Sequence, residues 1–96
     1  MSFIQARNVA VTNTATQLTN TVLTRDSLII ENNGSVTVYV GNSDVTTATG
    51  FPIAANASLN DFPAPFTGMW FGIVSSGSSD VRVLEKYSGK QAGQTL

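Results

Sequence analysis

A chain of 96 residues has room for one domain, which hides roughly 60–65% of the surface its unfolded form exposes. Only 11% of it is charged and its net charge is −1, so the counterion release that drives phosphate-backbone binding has almost nothing to act through, and nucleic acid is not expected as a partner. It has neither Cys nor His, which removes disulfides, thiolate metal sites, the commonest metal ligand and general base, and the strongest nucleophile; no cofactor, metal or enzymatic activity is expected.

Twelve Thr, ten Ser and eight Asn supply the polar surface instead, a composition that suits strands and turns better than helices. No window sustains helical spacing, and period-two alternation dominates. The N-terminus lacks the charged-then-apolar pattern of a signal peptide. The first strand is expected over about 3–12, with Arg7, Val9 and Val11 on one face, and the second over about 17–23, with Leu18 and Val22 on one side. "RDSLIIEN" (25–32) and "VTVYVG" (36–41) read as a hairpin joined through Asn32, Asn33, Gly34 and Ser35, where Asn-Gly supplies positive φ; Val36, Val38 and Val40 face the core, Thr37 and Tyr39 the other way. The middle is turn-rich: Gly50 and Pro52 punctuate one edge, a short strand fits at about 57–62, and Pro63 and Pro65 exclude a central strand around "FPAPF".

"MWFGIV" (69–74) reads as a buried strand, far too short to span a bilayer, and no membrane association is expected. The last strand, 81–87, sets Val81, Val83 and Glu85 opposite Arg82, Leu84 and Lys86. Residues 1–87 thus form one all-β domain of about seven short strands, an antiparallel β-sandwich or small jelly-roll-like barrel, followed by a flexible C-terminal tail, 88–96.

Six carboxylates remain as candidate chemistry: Asp26, Glu31, Asp44, Asp61, Asp80 and Glu85. Asp26, Asp44 and Asp80 sit beside turn-forming residues, where a carboxylate most often bonds its own backbone, and "GNSD" and "GSSD" fall short of a calcium-loop pattern. No catalytic, cofactor or metal residue is assigned. The aromatic cluster Phe51, Phe62, Phe66, Trp70 and Phe71 has two readings: Phe71 and Met69 are core while the others plug the ends of the sandwich, or Phe62, Phe66 and Trp70 line a patch for a protein partner. A carbohydrate platform is a third.

In order and spacing, the run from R-x-S-L-x-I-x-N-x-G-S (25–35) through V-Y-V-G (38–41) and G-F-P-I (50–53) to S-S-G-x-x-D-V-R-V-L-E (75–85) resembles a family of small tailed-bacteriophage virion proteins. The resemblance covers about residues 25–87 and implies a structural role: a capsid decoration (cement) protein bound in many copies to the assembled head, with the major capsid protein or other virion proteins as partners, homo-oligomeric in the virion, and located in virions assembled in the host cytoplasm. A head-fibre, neck or tail adaptor module is the alternative, and a carbohydrate-binding module a further one. A strand-forming N-terminus and a polar tail also offer backbone for strand addition to a neighbour's exposed edge.

Overall fold

Alternating side chains build the two longest strands, β1 (Phe3–Thr12) and β8 (Ser78–Tyr87), which pair antiparallel from Phe3↔Tyr87 to Thr12↔Ser78 without a shift in register. In the computed structural model, which describes residues 3–21, 25–61 and 66–87, they belong to a four-stranded sheet with β3 (Arg25–Asn32) and β6 (Ser58–Asp61), in the order β1-β8-β3-β6. A second antiparallel sheet has the order β2-β7-β4-β5, from β2 (Thr16–Gln17), β4 (Val38–Gly41), β5 (Phe51–Ile53) and β7 (Phe71–Ile73). The sheets pack as an open sandwich and do not close into a barrel. The described residues hold eight strands, in keeping with the expected sandwich of about seven.

The pairs β1·β8, β2·β7, β3·β6 and β4·β5 are those of one long antiparallel ribbon, its tip at the β4–β5 connection, and the ribbon then wraps so that β8 meets β3 and β7 meets β4. This is the jelly-roll connectivity. It gathers the 13–15, 33–37, 54–57 and 74–77 connections at one end of the sandwich. The 42–50 connection and residues 66–70 lie at the opposite end, with the start of β1 and the end of β8.

Between the sheets lie Val11, Leu18, Leu28, Ile30, Val38, Val40, Ile53, Val74, Val81 and Val83, all essentially removed from water, with Val36 packed against them. Gly72 turns bare backbone to this core, where a side chain would press on Val38, Leu18 and Val11. Its neighbours Phe71 and Ile73 consequently lie on the outer face of the sheet, in register with Gly41 and Tyr39, and both are half-buried. Met69 is 44% exposed. The reading of Phe71 and Met69 as core is thus corrected.

The expected hairpin is a second correction. β3 and β4 lie in different sheets, so residues 33–37 turn a corner of the sandwich. Positive φ occurs at Asn56 (64°) and Gly77 (71°), and not at Gly34. Gly34 is required for space: a Cβ there would collide with the Ser79 hydroxyl and come within 3.0 Å of the Ser79 Cα. The expected second strand is only β2, with Leu18 buried immediately after it, and Val22 lies outside the described residues. β5, not anticipated, forms around Pro52 because an edge strand tolerates a missing N–H. The tail 88–96 lies outside the described residues.

Candidate interaction surface

The end of the sandwich beyond β7 carries the exposed aromatics. Phe66 is 55% exposed, Trp70 is partly buried against the core, and their rings meet edge to face with centroids 6.3 Å apart and an interplanar angle of 72°. With Met69, Gly41 and Asn42 they line a hollow of about 280 Å³. A neighbouring hollow of about 380 Å³ extends it over Ser43, Asp44 and Phe71. The structure thus brings Phe66 and Trp70 together as the sequence suggested; Phe62 lies outside the described residues.

This segment has no regular secondary structure from Phe66 to Trp70, yet its backbone is held at Phe66, Gly68 and Trp70. Phe66 N–H donates to Asp61 Oδ2 (2.9 Å). The Trp70 N–H donates to Thr19 Oγ1 (3.0 Å), and the Trp70 carbonyl accepts from Leu18 N–H (2.7 Å). Arg25 Nη1 donates to the carbonyls of Phe66 (2.8 Å) and Gly68 (3.3 Å), while its Nη2 donates to the Asn20 carbonyl (2.7 Å). One guanidinium therefore ties the 18–21 segment to the aromatic segment. The Phe66 ring folds over Gly68, where the absent side chain leaves it room.

Arg25 is itself buried, and Glu85, wholly buried, makes that tolerable. The carboxylate receives Arg25 Nη2 on Oε2 at 2.7 Å, with Nε also donating to Oε2 at 2.8 Å, and Arg7 Nη2 on Oε1 at 2.7 Å. Arg7 further donates to the Leu18 carbonyl (3.2 Å). The Tyr87 hydroxyl donates to Gln5 Oε1 (2.7 Å) and approaches Glu85 Oε1 (3.3 Å). A buried charge paired and hydrogen-bonded on all sides is the arrangement that survives desolvation.

Burial, then the charge of Glu85 and the bond to it, hold the Tyr87 phenol above its ordinary value of 10.0. The fold therefore favours the neutral phenol: this contribution to stability is complete below pH 10 and disappears as pH rises through the higher folded-state value. The thermal midpoint of the wild type is expected to fall on crossing pH 10, and that of Tyr87→Phe to be lower at neutral pH and to fall less steeply above pH 10. Melting curves of both proteins on either side of pH 10.0 check this, and parallel profiles would contradict it.

Two further carboxylates, Asp61 and Asp80, serve the frame. Asp61 fastens the Phe66 N–H. Asp80 Oδ2 accepts from Arg82 (2.9 Å) and Asn33 (3.3 Å), bonds that lower its pKa, the Arg82 bond most. Among the described residues, no cluster of three or more His, Cys, Asp or Glu is placed to hold a metal. What the end of the sandwich offers a partner is aromatic and thioether surface on a fixed backbone. No protein-family model matches the chain, and no curated protein matches it.

Proposed function

We propose that this chain is a non-enzymatic bacteriophage virion component that decorates the assembled head, bound in many copies through the end of the sandwich that carries Phe66, Met69 and Trp70. The observation that carries this reading is that exposed aromatic end, clamped from beneath by the buried Arg25–Glu85 pair. A patch held in one geometry loses little conformational freedom when covered, and aromatic anchors dominate interface energies. The motif order over residues 25–87 supplies the virion context, and a jelly roll is compatible with it while also hosting many other roles. With a net charge of −1, association depends on apolar contact and avidity over a lattice, which salt screens little.

The test is co-sedimentation with expanded capsids. Wild-type chain is expected to pellet in fixed stoichiometry with the major capsid protein. Phe66→Ser, an exposed change with little effect on folding, is expected to weaken each contact by on the order of 2 kcal/mol, about 30-fold in single-site affinity. Undiminished occupancy in Phe66→Ser, or immunogold label confined to the tail, would count against head decoration through this surface.

A further inference from the structure

Four strands lie at sheet edges, and three are guarded or short: β6 has four residues, β2 has two, and β5 has three with Pro52 at its centre. β1 is different. It is ten residues long, runs without a bulge against β8, contains no proline, and carries a single charge, Arg7, whose guanidinium is directed to Glu85 and the Leu18 carbonyl. In an antiparallel ladder alternate residues direct their N–H and C=O away from the paired neighbour. Among the described residues, the backbone bonds made outside the strand ladders reach β1 only at Thr12, through Val74 N–H and Thr16 Oγ1. A long edge without proline or bulge, its one charged side chain engaged within the same chain, is a template for another strand.

We propose that β1 pairs antiparallel with β1 of a second copy about a two-fold axis, so that the β1-β8-β3-β6 sheet continues through the axis as eight strands. Identical edges satisfy one another in this arrangement, and the interface closes. The outer-face side chains that meet, Ile4, Ala6, Asn8 and Ala10, are uncharged, and Ile4, 64% exposed, gains cover. Centred near Arg7, the pairing sets Ile4 opposite Ala10 of the mate and Ala6 opposite Asn8, so no like charges meet on the outer face of the joined strands. The facing Arg7 side chains lie on the core side of the sheet, each bonded to its own Glu85, which it shares with Arg25. This interface is independent of the capsid reading, because it needs no virion partner.

Light scattering after size exclusion, over a concentration series reaching the millimolar range, is expected to show the isolated chain passing from 10.1 kDa to twice that mass. Ala6→Lys and Ala6→Glu are each expected to remain monomeric, with thermal midpoints like that of the dilute wild type, and an equimolar mixture of the two to regain the dimer. In the wild type, alternate amides between residues 4 and 10 are expected to exchange more slowly as concentration rises. A wild-type monomer at every concentration, as when the edge serves a different partner, would overturn the proposal; so would a trimer, a persistent Ala6→Lys dimer, a mixture that stays monomeric, or exchange that does not depend on concentration.

Discussion

Glu85→Gln is expected to lose about 3–5 kcal/mol of folding stability, the loss typical of removing one partner from a buried ion pair. The side chain is wholly out of water and answers two guanidiniums at 2.7 Å, so neutralising it strands the equally buried Arg25 without a counter-charge. A domain of this size holds roughly 5–15 kcal/mol in total, and the melting temperature should fall by about 12 °C or more. Lys86→Gln, one residue along and exposed, is the control and should stay within about 0.5 kcal/mol of wild type. Urea denaturation measures both. A second readout follows from the bonds Arg25 makes to the Phe66 and Gly68 carbonyls: the single tryptophan, Trp70, follows those residues in the segment that Arg25 holds, so its emission should shift in Glu85→Gln while the sandwich is still folded. Equal stability of Glu85→Gln and Lys86→Gln would mean that the charge cluster does not hold this end together.

Half of that cluster is visible in the sequence and half is not, for a definite reason. The alternation of residues 81–87 puts Glu85 on the same side as Val81 and Val83, and the structure buries all three. By the same alternation Arg25 should face outward, since Leu28 and Ile30 face in. A bulge between Arg25 and Ser27 reverses it: Ser27 opposes Lys86, Arg25 opposes Tyr87, and the extra residue, Asp26, is exposed. One inserted residue carries Arg25 onto the core face. Nothing local announces this, because the insertion is meaningful only against the partner strand some sixty positions away.

Distance in sequence explains the other differences. Asn33-Gly34 between two apolar alternations has the local grammar of a hairpin, but whether two consecutive strands pair or part at a corner depends on what β6 and β8 offer β3, and on what β5 and β7 offer β4. The sandwich class was legible because period two is local; the wrapped order of the strands was not, since every pair in it except β4·β5 skips intervening strands. Phe66 and Trp70 could be singled out because aromatics in a proline-rich, irregular stretch exceed what one small core absorbs. Arg25, Thr19 and Asp61, which position them, look like ordinary polar strand or turn residues until their partners are known.

The corner that replaces the hairpin is the site of the second large effect: Asn32→Leu is expected to cost about 3–5 kcal/mol. Asn32 is fully buried, and its amide meets four partners at once. Nδ2 donates to the carbonyls of Val36 (2.7 Å) and Ile53 (2.9 Å), while Oδ1 accepts from Gly34 N–H (3.1 Å) and the Ser79 hydroxyl (2.6 Å). These bonds fasten the end of β3 to the 33–37 connection, to β5 in the opposite sheet and to β8. A leucine keeps the branching of Asn but is bulkier, so the loss combines overpacking of a closed site with the polar groups left without partners, each worth about 1–3 kcal/mol when buried. Asn32→Asp should be worse than Asn32→Leu at neutral pH, because a carboxylate keeps the acceptor but turns negative oxygen toward the two carbonyls that Nδ2 served. Ser79→Ala removes only one of the four bonds and should lose about 1 kcal/mol. Urea midpoints in the order wild type, Ser79→Ala, Asn32→Leu, Asn32→Asp are therefore expected, and an Asn32→Leu protein as stable as Ser79→Ala would show that the two sheets are joined at this corner by packing and not by the Asn32 amide.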